Sequence, residues 1–321
     1  MRGAGAGPIH ARMGGAVRGL LVAALVQHRA DPDPGRNLAR AVAAVGRAAD
    51  RGGRLVVLQE LFRSRYFCQS EDTACFDLAE PIPGPSTEAL GKVAAERGVY
   101  VVAPIFERRA PGVYHNSAVL LGPDGAVAGH YRKMHIPDDP LYFEKFYFTP
   151  GDRGFRSFPL AGLEGPGAEP PRLGMLICWD QWFPEAARAT ALAGADVLVY
   201  PTAIGWQHDE GPEIEAAQHD AWETVQRAHA IANGVFVLAV NRVGREGGIR
   251  FFGQSFAADP YGRVLARAPA DEEALLLVEL DLDLVERARR EWPFLRDRRV
   301  DAYGGLTRLF AGPGSADGEA R

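Results

Sequence analysis

Cysteine is scarce in this 321-residue sequence, which contains only Cys68, Cys75 and Cys178. Three cysteines do not form the disulfide framework of a compact secreted protein, and an odd number of them suits a reducing compartment. We therefore expect a cytoplasmic protein.

Basic clusters and long hydrophobic runs are also missing. Lys and Arg total 36 against 41 Asp and Glu, a formal net charge of -5, and the arginines are scattered among acids. A nucleic-acid backbone needs a concentrated basic surface, so no nucleic-acid partner is expected. The run GLLVAALV after Arg18 is far below the roughly 20 apolar residues that cross a bilayer. It resembles the start of a signal peptide but lacks a convincing cleavage site, and it fits a buried first strand equally well.

Metal-binding and phosphate-binding motifs are absent. The eight histidines show no HExxH or paired spacing, and Cys68 and Cys75 lack a ligand arrangement with nearby histidines. These spacings are the usual signature of a zinc site, so no metal is expected. The glycine-rich segment GREGGIRFFG lacks the strand-then-helix setting of a phosphate loop, and we predict a connector between strands there.

Apolar runs typical of buried strands alternate with stretches typical of helices. In the first half, LLVAALVQ, RLVVLQE and VYVVAPIFE surround helices predicted at about 37–51 and 86–97. In the second half, RLGMLICWD, ADVLVYPTA and GVFVLAVNRVG surround helices predicted at 184–193 and about 216–233. Alternation of this kind predicts an α/β fold.

Two further segments predict antiparallel hairpins. NSAVLLGPDGAVAGHYR turns at 123–125 and GQSFAADPYGRVLARA turns at 259–262. Their similar places predict two similar half-domains in one unit, because no low-complexity linker separates them. We predict one catalytic domain over 16–310, a disordered extension over 1–15 and a disordered tail over 311–321.

The segment LICWDQWFPEAAR carries the strongest chemical signal. It places Cys178 where an apolar strand ends and a helix begins near Pro184. α/β proteins place their sites at this edge of the sheet, where backbone N–H groups can bind an oxyanion. A buried structural cysteine is more common than a nucleophile, so the hypothesis depends on partner residues.

Glu60 and Lys133 are the candidate partners. Glu60 closes the strand RLVVLQE, and desolvation makes a carboxylate a stronger base toward a thiol. Lys133, in GHYRKMHIPDDP, would favour a thiolate and stabilise an oxyanion. Taken alone, each has an ordinary alternative: a capping or salt-bridged acid, and a solvated lysine. No histidine segment matches a papain-like pairing, although a papain-like hydrolase stays an alternative.

Together and in this order, a strand-closing Glu, a Lys in RKxHIP and a Cys in CWDxWFPE resemble the triad of the nitrilase superfamily. The resemblance runs from about Val22 to Leu309. It implies a four-layer α-β-β-α sandwich, no cofactor and association into a homo-oligomer. It also implies that Cys178 is the nucleophile, Glu60 the base and Lys133 the oxyanion stabiliser.

Other segments resemble the N-carbamoylputrescine amidohydrolases of this superfamily, among them HIPDDPLYFEKFYFTPGDRGF, YPTAIGW and QRAHAIANGVFVLAVNRVG. Glu144 in the first of these matches the second glutamate that such enzymes place beside the triad; its ordinary alternative is a surface acid. The resemblance implies a small ureido amine as substrate. The ammonium end of that substrate calls for acids and aromatic faces rather than an Arg clamp.

The predicted substrate contacts lie in segments that follow strands or neighbour the triad. They are Trp179, Tyr142, Asp139, Thr202 and Trp206, with Asp138 and Ile204 as further candidates. An ω-amidase, a β-ureidopropionase or an aliphatic amidase would use the same triad. Outside enzymology, a catalytically silent scaffold that binds amines is the alternative.

Overall fold

The computed structural model describes residues 17–207, 210–310 and 312. The predicted disorder over 1–15 and 311–321 therefore lies outside the described residues, apart from Gly312. The domain boundaries at 16 and 310 stay predictions. Within the described ranges, no helix has the length and apolarity to cross a membrane.

Helices separate many of the strands along the described chain, and hairpins join others. In order, the elements are β1 (Leu20–Gln27), α1 (Pro34–Asp50), β2 (Leu55–Leu58), α2 (Pro85–Arg97), β3 (Tyr100–Ala110), β4 (Val113–Leu121), β5 (Val127–Arg132), α3 (Glu144–Tyr147), β6 (Ser157–Pro159), β7 (Arg172–Met175), α4 (Pro184–Leu192), β8 (Val197–Pro201), β9 (Gly205–Gln207), α5 (Pro212–Asn233), β10 (Phe236–Val240), β11 (Val243–Glu246), β12 (Ile249–Phe252), β13 (Phe256–Ala258), β14 (Val264–Arg267), β15 (Ala274–Asp281) and α6 (Asp283–Glu291).

The strands build two six-stranded sheets with the same plan, and β15, from the end of the chain, joins the sheet of the first half. The strand orders are β15-β1-β2-β3-β4-β5 and β6-β7-β8-β10-β13-β14. In each sheet, three parallel strands have one antiparallel strand on one side and an antiparallel pair on the other. The two predicted hairpins are β4–β5 and β13–β14, so the prediction of two similar halves is confirmed.

The two sheets pack face to face with helices outside them. The alternate residues of β1, which face two different buried clusters, show this arrangement. Leu21 and Leu25 belong to one buried cluster with residues of the second sheet such as Val199. Ala24 and Val26 point to the other face and pack with residues of α1 and α2. On the far side, α4 and α5 contact the second sheet. Successive strand residues face opposite sides, so the predicted four-layer α-β-β-α sandwich is confirmed.

The glycine-rich segment GREGGIRFFG departs from its prediction. Instead of a connector, β11 and β12 pair there as an antiparallel hairpin, and β9 joins β12 to complete a three-stranded sheet. Only Gly247 and Gly248 form the turn, with Gly247 at a φ of 55° that suits glycine. The prediction was wrong because four-residue strands are too short for a clear alternation in the sequence.

The buried face of β1 gives a test of the core. Leu25 is fully buried between the sheets, whereas Leu20 on the same strand is 64% exposed. We expect Leu25→Ala to lower the free energy of unfolding by about 2–5 kcal/mol, because a cavity replaces the side chain. Leu20→Ala is the matched control and should change it by less than about 0.5 kcal/mol. Urea denaturation measures both, and equal effects would contradict the assignment of β1 faces.

Candidate active site

Cys178 lies at a sharp turn beyond the end of β7. It begins a short 3₁₀ turn, Cys178–Trp182, that leads directly into α4. Its backbone φ is +40°, a left-handed conformation that is uncommon for a residue other than glycine. The side chain is only 5% exposed. The predicted strand-to-helix elbow is therefore confirmed, and its strained backbone is the kind found at functional sites.

Lys133 brings two carboxylates together beneath this turn. Lys133 follows β5, Glu60 lies two residues beyond β2, and Glu144 opens α3. The Lys133 Nζ atom is 2.9 Å from Glu60 Oε1 and 2.6 Å from Glu144 Oε2. All three residues are fully buried. The structure therefore places three sequence-predicted residues in one buried ionic cluster.

Two further side chains orient the carboxylates. Asn116 Nδ2 donates to Glu60 Oε1 at 2.7 Å, and the Tyr66 hydroxyl donates to Glu144 Oε1 at 2.8 Å. The other oxygen of Glu60, Oε2, is buried and accepts no hydrogen bond from the described residues. A buried acceptor without a donor is unusual and calls for an explanation. One oxygen of Glu60 is thus fixed while the other is free to take a proton.

Burial controls the state of the Cys178 thiol. It raises the pKa of Cys178 well above its ordinary value, and the Glu60 carboxylate raises it further. The Lys133 ammonium and a backbone hydrogen bond from Ala203 act in the opposite direction. Lys133 therefore opposes the shift, as expected, without outweighing it. The resting group is a thiol, so attack requires a base that removes the proton.

Lys133 stays an ammonium despite its burial. Desolvation lowers the pKa of Lys133, but the nearby charges of Glu144 and Glu60 outweigh that effect and raise it well above its usual value. Burial raises the pKa of Glu144, with Lys133 opposing the shift. An ammonium has three N–H donors, and the two carboxylates use two of them. The third donor is left for a further acceptor.

A pocket of about 380 Å³ opens in front of Cys178. Its apolar and aromatic lining includes Tyr142, Trp179, Trp182, Ile204 and Phe252. The charged side chains among its described lining residues are all acidic: Asp139, Glu144 and Glu210. A small apolar pocket with few charged groups is typical of a small-molecule site, and the acids favour a cationic ligand.

Comparison with known proteins identifies the family. Residues 22–290 match the family model described as carbon-nitrogen hydrolase. The chain belongs to the carbon-nitrogen hydrolase family. It is similar to the N-carbamoylputrescine amidase of Solanum lycopersicum, with 41% identity over 300 residues that cover 90% of this chain and 96% of the relative. It is also similar to the citrullinase of Francisella tularensis, with 35% identity over 89% of this chain and 98% of the relative.

A solved structure agrees with these relatives. The crystal structure of a carbon-nitrogen hydrolase from Helicobacter pylori G27 matches with a TM-score of 0.86 and 44% identity, covering 91% of this chain and 100% of that one. The resemblance to the nitrilase superfamily is confirmed. The protein is an enzyme that hydrolyses carbon-nitrogen bonds other than peptide bonds.

The structure places some of the predicted substrate contacts in the pocket and others outside it. Trp179, Tyr142, Asp139 and Ile204 line it. Asp138 is exposed and is not among the lining residues.

Thr202 and Trp206 are not among the pocket-lining residues, and their role as substrate contacts stays a prediction. The Thr202 hydroxyl is buried, 3.0 Å from the Tyr200 carbonyl oxygen and 3.3 Å from Gln181 Oε1, either of which can accept its proton. The Trp206 indole N–H donates to the backbone of Glu215, and the Arg250 guanidinium lies 4.3 Å from the centroid of its ring. Trp206 lies on β9, whose pairing with β12 turns the ring toward protein neighbours.

Sequence reasoning missed Asp180, a fully buried acid two residues after the nucleophile. Its carboxylate accepts from the Tyr131 hydroxyl at 2.7 Å and from the Ile177 and His135 backbone N–H groups at 3.0 and 3.1 Å. The His135 Nδ1 atom lies 2.7 Å from it as well. Asp180 therefore joins the Cys178 turn to the segment that carries Lys133. An acid inside an apolar and aromatic run was the available signal, because an unpaired buried carboxylate is costly.

The protonated thiol makes labelling of Cys178 a test of the proposed base. Because the pKa of Cys178 is raised, its thiolate is scarce at neutral pH and grows only as the pH rises. We expect Glu60→Gln to slow alkylation of Cys178 by iodoacetamide about 10-fold or more at neutral pH, where the wild-type thiol needs Glu60 to take its proton. The alkaline rise of the rate should also shift to lower pH, because the carboxylate charge that raises the pKa of the thiol is gone. Peptide mass spectrometry follows the rates, and partly exposed Cys75 is the internal control. Coinciding profiles would contradict a role for Glu60.

Proposed function

We propose that this hydrolase cleaves N-carbamoylputrescine to putrescine, carbon dioxide and ammonia, a step of polyamine synthesis. The observation that carries the proposal is the acid-only charge of the described pocket lining, with Asp139 and Glu210 beside aromatic walls. The substrate ends in an ammonium, which carboxylates and aromatic faces bind. The similarity to the tomato N-carbamoylputrescine amidase supports the same substrate.

In the first half-reaction, Glu60 Oε2 accepts the thiol proton as Cys178 Sγ attacks the carbamoyl carbon. The carbonyl oxygen gains negative charge, and the third N–H of Lys133 and the backbone N–H of Trp179 stabilise it. Collapse breaks the bond to the alkyl nitrogen, and Glu60 returns its proton to the leaving amine. Putrescine departs and leaves a carbamoyl thioester on Cys178.

In the second half-reaction, Glu60 takes a proton from water, which attacks the thioester carbon with Glu144 as a second orienting carboxylate. The carbon-sulfur bond breaks, the thiol regains its proton, and the released carbamate yields carbon dioxide and ammonia. Glu60 is held through Oε1 while Oε2 stays free. This arrangement supports the use of one carboxylate as the base in both half-reactions.

Alternative substrates differ from N-carbamoylputrescine at the end remote from the reacting carbon. N-Carbamoyl-β-alanine and 2-oxoglutaramate carry a carboxylate there, and citrulline carries both charges. Among the lining residues that the structure describes, no Arg or Lys is present to bind a carboxylate. A papain-like mechanism gains no support either, since no described lining residue is a histidine. A catalytically silent scaffold gains no support, because the Cys178 thiol, the free oxygen of Glu60 and the Lys133 ammonium lie together.

Glu210 is the acid that we assign to the substrate ammonium. Its Oε1 accepts from Gln218 Nε2 at 3.0 Å and its Oε2 from the Gln207 backbone N–H at 3.1 Å, so the carboxylate is held in place. Asp139 is exposed at the rim, and Glu144 is already neutralised by Lys133. A preorganised, half-buried carboxylate binds a cation at lower entropic cost than a mobile one.

The substrate assignment predicts a clear order of kcat/KM. N-Carbamoylputrescine should exceed N-carbamoyl-β-alanine, 2-oxoglutaramate and citrulline by about 10-fold or more each, or roughly 1.4 kcal/mol in transition-state binding. We expect Glu210→Gln to raise KM for N-carbamoylputrescine about 10- to 100-fold with kcat little changed, because it removes a charge-assisted contact.

Glu213→Gln is the matched control, because Glu213 is exposed on the first turn of α5 and is not among the pocket-lining residues. It should leave both constants unchanged. A preference for either carboxylate-bearing acid would overturn the substrate assignment and leave the chemistry at Cys178 untouched. An unchanged KM in Glu210→Gln would overturn the role of Glu210 alone.

Association into a homo-oligomer and a cytoplasmic location stay predictions. Exposed apolar side chains near the end of the described chain support association, among them Val300 (67% exposed), Leu306 (67%) and Phe310 (81%). Several large apolar side chains exposed within one short segment are the composition of a candidate interface. Light scattering gives the mass in solution, and a monomer would contradict the proposal.

A further inference from the structure

The turn that carries Glu60 is buried and has a strained backbone. Beyond the end of β2 the chain leaves the sheet, and Leu61 adopts a left-handed φ of +47°. Glu60 and Leu61 are buried, so their backbone carbonyls need donors from within the protein. A turn of this kind persists only when surrounding groups fix it.

Arg242 supplies those donors. Its guanidinium is fully buried, and Nη2 donates to the carbonyl oxygens of Glu60 and Leu61 at 2.7 and 3.0 Å. Nη1 donates to the Ser64 carbonyl oxygen at 3.3 Å. One side chain thus binds three carbonyls of one turn, which the planar fork of arginine can do and the ammonium of lysine cannot reproduce.

Glu246 neutralises Arg242 and connects it, through Tyr66, to Glu144, the second carboxylate. Arg242 Nη1 lies 3.1 and 3.2 Å from the two oxygens of Glu246. Glu246 Oε2 accepts from the Tyr66 backbone N–H at 2.6 Å, and the Tyr66 hydroxyl holds Glu144. The Arg242–Glu246 pair therefore binds the backbone of Glu60, one of the two carboxylates, and the backbone of Tyr66, which orients the other.

The Arg242–Glu246 pair belongs to the half of the molecule opposite the half that carries Glu60. Arg242 lies between β10 and β11, and Glu246 ends β11, whereas Glu60 follows β2 of the first sheet. The half that carries Cys178 thus also holds the main chain of the residue that must deprotonate it.

We propose that Arg242, neutralised by Glu246, is a positioning residue for the base. It fixes the backbone of Glu60 so that the carboxylate oxygen without a partner stays available to the Cys178 thiol. The inference rests on the proposed role of Glu60. Arg242 is not among the residues that line the pocket, so its loss acts on kcat and leaves KM nearly unchanged.

Two variants separate positioning from stabilisation. Arg242→Met leaves Glu246 buried and unpaired, which destabilises the fold, whereas Arg242→Met with Glu246→Leu removes both charges and restores much of the stability. If Arg242 positions Glu60, kcat on N-carbamoylputrescine stays at least about 10-fold below wild type in the double variant, with KM within about twofold. Thermal unfolding measures the recovery of stability in the same preparations.

Arg242→Lys is the conservative variant, because it keeps the charge opposite Glu246 and loses the fork. We expect it to fold and to show a kcat reduced about 10-fold, and it decides the question alone if the double variant does not fold. Iodoacetamide labelling of Cys178 at neutral pH should slow in parallel, which makes the test independent of the substrate.

Wild-type kcat and labelling in either the double variant or Arg242→Lys would overturn the proposal and leave Arg242 a purely structural residue. Glu60→Gln, measured alongside, keeps the two hypotheses apart. Full turnover in Glu60→Gln would show that the proposed role of Glu60 fails. Loss there with full activity in the Arg242 variants would show that only the positioning role fails.

Discussion

A buried ammonium between two buried carboxylates is the interaction on which the site depends. Charges removed from water are tolerated only when paired and hydrogen-bonded, and loss of one partner costs about 3–5 kcal/mol. Lys133 meets that condition with Glu60 and Glu144, and Asn116 and Tyr66 complete the hydrogen bonds. The cluster leaves one oxygen of Glu60 without a donor, and this is the oxygen that we propose takes the thiol proton.

The architecture explains how such a cluster can form. Lys133 and Glu60 follow strands of the first sheet, and Cys178 follows a strand of the second. The sheets pack face to face, so the ends of their strands meet, and Asp180 and Arg242 then bind segments of the two halves together. The chemistry therefore lies at the junction of the halves. In our proposal, pocket residues outside the cluster, Glu210 among them, select the amide or ureido compound that is bound.

Features carried by runs of residues could be predicted from the sequence, and features created by packing could not. Apolar strands and turn residues predicted both hairpins and the parallel strands, whereas the short strands β11 and β12 left no readable pattern. Three ordered motifs predicted Glu60, Lys133 and Cys178. Contacts between residues far apart in sequence, such as Arg242 with the turn of Glu60, leave no local signal. The hydrogen bonds of Thr202 and Trp206 could not be predicted either, because a loop after a strand does not reveal which way its side chains point.

The most direct test of the account is the turnover of Lys133→Met, which keeps an apolar side chain of similar length and removes the ammonium. The exposed Lys145 provides the control, as Lys145→Met. With the substrate that the wild-type enzyme turns over, we predict a loss of kcat/KM of about 1,000-fold or more for Lys133→Met, because residues that act as a unit fail together. Lys145→Met should match the wild type. Near-full turnover by a folded Lys133→Met enzyme would contradict the account.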